Sequence, residues 1–260
     1  MKVWRYRLLT VSRTVLLTVP LSVLLAACAG SGPTDNNTTQ TPDAGVEAKT
    51  YPVTDGAPLV NREAQAAPTT IQTYEKTYEL VLERVKARAY ADDFRLLREE
   101  FVKTDLYKPF DSAEREQTQQ MFEALDENNL KQCVSLADRI LARNFLSLPA
   151  HRAAAICHEQ RGDDMAQQFH DLMYRGLLDA VARSGNGSSP AAAFVVINVD
   201  EIDALLQAQD LEVVSQSQLR LGDREYNRVF VRNPQTGRQF YVYFDVSAEK
   251  RWYLNRLRSR

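Results

Sequence analysis

Residues 184–199 read SGNGSSPAAAFVVINV and divide the chain into two parts of different character. The segment opens with Ser, Gly and Asn, which end a helix, and closes with an apolar run over residues 193–199, which predicts a short strand. Before it, apolar residues recur at the helical period, and after it they form runs typical of strands. The sequence therefore predicts an α+β fold, with helical hairpins first and a small antiparallel sheet with one helix after them.

Residues 69–183 are expected to form three helical hairpins. Asp92, Asn129 and Asp163 stand in the turns between paired helices, at intervals of 37 and 34 residues. A spacing near 34 residues resembles tetratricopeptide repeats, although their Trp, Gly and Tyr signature is missing. Stacked repeats present a concave surface to a partner, whereas the alternative, a plain helical bundle, has no groove. The apolar period predicts helices over residues 71–85, 94–102, 112–125, 130–142, 149–160 and 163–183.

Cys133 and Cys157 have their midpoint in the loop over residues 143–148. If that loop joins two antiparallel helices, the thiols lie opposite each other at similar height. A disulfide there would stabilise the fold by roughly 3 kcal/mol in an oxidising compartment, and two buried thiols are the alternative. Facing cysteines would also mean that the hairpins stack in sequence order, with Phe169 packed into the stack.

Residues 184–260 are expected to form an α+β region packed on the hairpins. Asp200 is predicted to cap a helix that runs to residue 209, whose apolar side chains would cover one face of the sheet. Residues 233–237, NPQTG, have the composition of a hairpin turn. Strands are predicted over residues 211–221, 226–232 and 239–246.

Residues 1–27 have the composition of a signal peptide, with a basic start and a short apolar run. The run ends in Leu25-Ala26-Ala27-Cys28, which resembles the lipobox of bacterial lipoproteins. That resemblance implies cleavage before Cys28 and lipidation of its thiol, whereas an ordinary secretory signal followed by a chance Cys is the alternative. Because Ala29 replaces the Asp of the inner-membrane sorting rule, the resemblance implies an outer-membrane anchor, with the domain in the periplasm or at the cell surface.

Residues 28–68 are expected to be the lipidated Cys and a disordered tether, because polar residues and Pro dominate and Tyr51 is the single aromatic residue. Removal of residues 1–27 takes the net charge from −2 to −6, which argues against nucleic acid as a partner. The partners expected are a membrane, through the lipid anchor, and another envelope protein.

We call residues 185–189 the glycine loop. It is the candidate ligand loop, since exposed amides in a Gly-rich turn can bind an anion. A phosphate loop needs a Lys after its second Gly and a helix to follow, and here a strand follows without the Lys. The structural alternative is that Gly185 is the left-handed residue that ends a helix. The loop comprises Gly185, Asn186, Gly187, Ser188 and Ser189.

His151, His158 and His170 are the histidines of the chain. The first two lie on one helical face about 10 Å apart, too far to share a metal, so surface or capping positions are expected. The sequence predicts no metal site, no cofactor and no catalytic residue. It favours a protein-binding scaffold or accessory factor of the envelope over the alternative, a small-ligand-binding or hydrolase-like domain centred on residues 184–190.

Short motifs spread over residues 70–246 resemble a family of bacterial exported and periplasmic proteins, the DUF4919 domain of unknown function. The resemblance implies a shared fold and supplies no activity. The motifs are Phe94-x-x-Leu97-Arg98, Tyr107-x-Pro109-Phe110, the glycine loop leading to Ala193-x-Val195-Val196-Ile197, then Glu201 and Leu205, and Tyr241-x-Tyr243-Phe244-Asp245.

Overall fold

The computed structural model describes residues 70–88 and 91–258. The described residues belong to one compact unit. The predicted signal peptide, Cys28 and the tether lie outside the described residues, so their assignment stays a prediction.

Six helices form the three predicted hairpins. Asn129 and Asp163 cap their helices, since their side-chain oxygens accept hydrogen bonds from the amides of Gln132 and Ala166. Asp92 lies inside its helix, which begins one residue earlier, and is not in the turn. The pairs are α1 (Thr70–Arg88) with α2 (Ala91–Phe101), α3 (Ser112–Asp126) with α4 (Leu130–Leu141), and α5 (Leu148–Arg161) with α6 (Asp164–Ala182).

The hairpins do not stack in sequence order, so that expectation was wrong. The first hairpin packs on α6 of the third, and the second hairpin packs on α5. The contact with α6 is tight, because a Cβ on Gly176 would lie 2.1 Å from Cε2 of Phe94. The buried ridge of α6 runs through Met173 and Leu177, and Phe169 is therefore only partly buried at its edge.

The C-terminal region is a four-stranded sheet with two helices. Its strands are β1 (Phe194–Val195), β2 (Glu212–Leu221), β3 (Arg224–Arg232) and β4 (Gln239–Asp245), and its helices are α7 (Val199–Ala208) and α8 (Ser247–Arg258). The strand order is β1-β4-β3-β2. The sheet is mixed rather than antiparallel, because β1 runs parallel to β4.

Three details of this region differ from the expectations. The run over residues 193–199 yields only a two-residue strand, because Asn198 leaves it to cap α7 by accepting from the amide of Glu201. Asp200 therefore lies in the first turn of α7 and does not cap it. The helix α8 had no counterpart among the predicted elements.

The core of the C-terminal region lies between α7 and one face of the sheet, as predicted. Ile202, Leu205 and Leu206 of α7 pack against buried residues of β3 and β4, among them Val229 and Phe244. The period-2 alternation of β3 and the helical period of α7 each supply one apolar face. The hairpins and the sheet meet where Ile197, Ala248 and Trp252 join the core of α1, α2 and α6.

Candidate functional site

A buried ion pair joins the hairpins to the sheet region. Arg98 donates from Nε to Oε1 of Glu201 at 3.0 Å and from Nη2 to Oε2 at 2.8 Å, and the two side chains are 6% and 2% exposed. Arg98 Nη2 also donates to the carbonyl of Val195 at 2.9 Å, and the amide of Ile197 donates to Glu201 Oε2 at 2.8 Å. One pair of charges thus connects α2, β1 and α7.

Tyr107 lies beside this ion pair. Its hydroxyl donates to the carbonyl of Ile197 at 2.6 Å, and its ring packs edge-on against Phe101. Burial, followed by the negative charges of Glu249 and Glu201, raises the pKa of Tyr107 well above its ordinary value. The hydroxyl therefore stays protonated and acts as a donor.

Two further carboxyl groups near the ion pair have raised pKa values. Burial, then the charges of Glu201 and Asp200, raise the pKa of Glu249 to about 7. Glu249 Oε1 is buried, and among the described residues no group hydrogen-bonds it. Burial and the charge of Asp203 raise the pKa of Asp200 to about 6. Carboxyl groups outnumber the single buried guanidinium here, and Glu249 is therefore partly protonated near neutral pH.

A cleft opens beside Tyr107, between the loop after α2 and the first turn of α7. Glu114 and Arg115 of α3 line it together with Asn144, whose Nδ2 donates to Glu114 Oε1 at 2.8 Å. Neither a histidine nor the glycine loop lines this cleft. Across residues 70–88 and 91–258, no cluster of three or more His, Cys, Asp or Glu is arranged to hold a metal ion.

Backbone conformation and close packing explain both glycines of the candidate ligand loop. The left-handed residue is Gly187, with φ of 68°, and not Gly185 as expected. A Cβ on Gly187 would lie 2.6 Å from the ring of Phe194. Gly185 is needed for a different reason, since a Cβ there would lie 2.4 Å from the carbonyl oxygen of Ala193.

The amides of this loop are used within it. Those of Asn186 and Gly187 donate to the carbonyl of Ala192 at 3.0 and 2.8 Å, and that of Ser188 donates to Asn186 Oδ1 at 3.0 Å. The carbonyl of Ser189 accepts from the amide of Ala192 in turn. Three amides that an anion would need are thus occupied, so the geometry gives no support to a ligand or hydrolase site centred on residues 184–190.

The three histidines are buried together, whereas surface or capping positions were expected. His151 Nε2 lies 2.8 Å from the carbonyl of Phe145, which only accepts, so Nε2 carries the proton. His151 Nδ1 then accepts from His170 Nδ1 at 3.0 Å. The ring of His158 stacks on that of His170, and its Nδ1 lies 3.1 Å from Asp163 Oδ2.

Burial and a neighbouring histidine keep His151 and His170 uncharged. They lower the pKa of His151 to about 3 and that of His170 to about 4. Both rings are therefore neutral at pH 7, and they hold α5 to α6 through hydrogen bonding and stacking rather than through charge.

Cys133 and Cys157 are joined by a disulfide, with their Cα atoms 6.6 Å apart. Both residues are fully buried in the core of α3, α4 and α5. The bond links α4 to α5, the two helices whose connecting loop contains the midpoint of the cysteine pair.

The comparisons with known proteins give one match. The family model described as "Domain of unknown function (DUF4919)" matches residues 70–255, which include the Arg98–Glu201 pair, Tyr107 and Glu249. Neither a curated protein nor a solved structure matches the chain. Within the part of the chain that the structure describes, no helix has the length and apolarity to cross a membrane.

Proposed function

Since the chain belongs to the DUF4919 family, whose description assigns no activity, we propose a function from its own residues: a lipid-anchored outer-membrane protein whose folded domain binds another protein of the cell envelope. The open edge of the sheet, strand β2, is the observation that carries the binding role. The lipobox ending at Cys28 supports the anchor. The disulfide is of the kind that persists in an oxidising compartment, which supports a position outside the cytoplasm.

Strand β2 is ten residues long and pairs with β3 at every residue except Val214. Among the described residues, no strand pairs with its other side. Val213, Val214 and Leu221 are 52%, 52% and 49% exposed. Such an edge offers backbone donors and acceptors to another chain. Of the features that usually protect an edge, Lys and Pro are absent from β2, and its charged residues, Glu212 and Arg220, and its bulge lie near its ends.

The geometry of β2 also limits where a partner can bind. The register with β3 shifts between Val213 and Ser215, which marks a bulge at the start of the strand. A bulge interrupts the ladder and twists the edge, so regular pairing is possible only over residues 215–221. We expect an extended segment of the partner to add to the sheet there, with main-chain hydrogen bonds providing the affinity.

Site-specific photo-crosslinking in cells tests this role. A photoreactive residue replaces Gln216 or Gln218, which are exposed on β2, in the full chain, and Gln168, exposed on α6, is the matched control. We expect one heterologous crosslinked product from both β2 positions and none from Gln168. Adding Lys at the β2 position that does not carry the crosslinker should abolish that product, because a charged edge resists pairing. Equal products at Gln168, or products that contain only this chain, contradict the proposal.

The anchor is tested separately. The wild-type chain should incorporate a palmitate analogue, and Cys28→Ser should not, because the acceptor thiol is lost. Equal labelling of the two chains would exclude the lipoprotein assignment and leave the crosslinking result unaffected.

A further inference from the structure

We propose that the outward face of α8 docks on an anionic lipid surface and so orients the folded domain on a membrane. This inference goes beyond the proposed protein partner and does not depend on it. One side of α8 is fixed in the fold, because Ala248 and Trp252 pack on the core of α1, α2 and α6 and Glu249 is buried. The other side carries a combination of side chains that a protein core does not use.

Three large side chains lie exposed on that outward side. Tyr253, Leu254 and Leu257 are 48%, 39% and 50% exposed. Leu257 follows Tyr253 by four residues and Leu254 by three, so the three share one face of the helix. Phe110, 47% exposed, lies at the border of the fixed side, with its ring centroid 5.9 Å from that of Trp252. We call Tyr253, Leu254 and Leu257 the α8 patch.

The helix that carries the α8 patch is basic. The helix contains Lys250, Arg251, Arg256 and Arg258, and its single acid, Glu249, is buried, although the whole chain has a net charge of −2. Lys250 Nζ forms an ion pair with Glu225 Oε1 at 3.4 Å. Arg251 is exposed.

This composition favours a lipid surface over a protein as the occupant. Amphipathic helices that bind in the membrane interface carry Lys and Arg beside Trp, Tyr, Phe or Leu. Anionic headgroups attract the basic side chains, while the apolar ones enter the boundary with the acyl chains. A protein partner would need acidic groups placed opposite these cations, because interfaces match positive patches with negative ones, whereas anionic headgroups diffuse within the bilayer and need no fixed placement.

Trp252 provides an internal probe for the test. The chain has two tryptophans, so Trp4→Phe leaves Trp252 as the only one, whether or not the first residues are removed. The full chain carrying Trp4→Phe is mixed with vesicles whose brominated acyl chains quench a nearby Trp. Trp252 packs on the core but is partly exposed beside Phe110, so it reports the approach of α8 to the acyl chains. One vesicle is pure phosphatidylcholine, and the other contains equal parts of phosphatidylcholine and phosphatidylglycerol.

We expect strong quenching with phosphatidylglycerol, little with phosphatidylcholine alone, and loss of quenching at high salt. Arg251→Gln should lower the ratio of docked to undocked domain about fivefold, the effect of one basic residue at an anionic surface. Leu257→Ser should reduce quenching as well. The matched controls are Leu80→Ser and Arg95→Gln on exposed positions of α1 and α2, which should leave quenching unchanged.

Three outcomes would overturn the proposal: no quenching in either vesicle, equal quenching in neutral and anionic vesicles, or equal effects of the α8 variants and their controls. Thermal melts followed by circular dichroism check that all four variants keep the fold. The substituted side chains are exposed, so we expect melting temperatures close to that of the parent chain.

Discussion

Breaking the Arg98–Glu201 ion pair should destabilise the protein more than any exposed charge change. Glu201 accepts two hydrogen bonds from Arg98 and one from the amide of Ile197, and its side chain is 2% exposed. Arg98→Met removes two of those bonds and leaves a carboxylate buried without its counterion. Removing one partner of a buried pair costs about 3 to 5 kcal/mol, a third or more of a typical total stability of about 10 kcal/mol.

Urea unfolding followed by circular dichroism measures this cost. With a slope of about 2 kcal/mol per molar urea, Arg98→Met should lower the midpoint by roughly 2 M. Glu201→Gln should lower it by a similar amount, because it leaves the guanidinium buried beside a neutral acceptor. The double variant Arg98→Met/Glu201→Gln should cost less than the sum of the single variants, since it leaves neither charge buried.

The same helix supplies the matched control. Arg95 and Glu99 form an ion pair in α2 whose side chains are 60% and 50% exposed. Arg95→Met should change the stability by less than about 0.5 kcal/mol, because water already solvates both charges. An Arg98→Met variant within about 1 kcal/mol of the wild type, or a double variant that costs the full sum of the singles, would contradict a buried, mutually dependent ion pair.

Three further predictions follow from the buried groups. Because the pKa values of His151 and His170 fall from the ordinary 6.5 to about 3 and about 4, the unfolded chain binds protons first on acidification. These two histidines should therefore favour unfolding increasingly as the pH falls from 6.5 towards 4, against the opposite contributions of Glu249 and Asp200, whose pKa values are raised to about 7 and about 6. The urea midpoint of His151→Leu relative to that of the wild type should rise over this range, and a constant difference would contradict the prediction. Gly222→Ala should destabilise the fold by roughly 1 kcal/mol, because Gly222 has a positive φ. Gly187→Ala should cost several times as much, because Gly187 has a positive φ and is also packed against neighbours. Equal melting temperatures of the two variants would contradict this. Reducing the disulfide between α4 and α5 should cost about 3 kcal/mol in a denaturant melt, and an unchanged midpoint would speak against the bond.

The helices of the hairpins were predictable to within three residues at each end. The expected helix over residues 112–125 is α3, Ser112–Asp126, and Asn129 and Asp163 cap the helices that follow their turns. These features are local, because an amphipathic period and a capping residue are both complete within a few turns of chain. The order in which the hairpins pack is not local, and there the prediction failed.

The helix α8 escaped prediction for a related reason. It buries little apolar surface beyond Ala248 and Trp252, and its remaining apolar residues face outward among basic ones. A helical period can be recognised only when the buried face is the apolar one. The exposed apolar side chains among basic ones made α8 unrecognisable by its apolar period. They are the side chains to which we assign lipid binding.

The histidine cluster, like the facing cysteines, is indicated by where the midpoint of a residue pair falls in the chain. The midpoint of His151 and His170 falls at residues 160–161, beside Gly162, the left-handed residue that ends α5. An antiparallel hairpin closed at that point places the two rings side by side. The expectation of surface histidines considered one helical face at a time and omitted the partner helix.

The Arg98–Glu201 pair shows what a single sequence can still indicate about a long-range contact. The two residues are 103 positions apart, and each is of a residue type that usually lies exposed to solvent. Yet Arg98 follows Phe94 by four residues, and Glu201 precedes Leu205 by four, so each charge stands within the buried stripe of its helix. A charge on an apolar stripe requires a buried partner of opposite sign, because an unpaired buried ion costs more than its helix contributes. Arg98 and Glu201 are two such charges of opposite sign. Each therefore indicates the other as its buried partner, and the pair predicts a contact between α2 and α7.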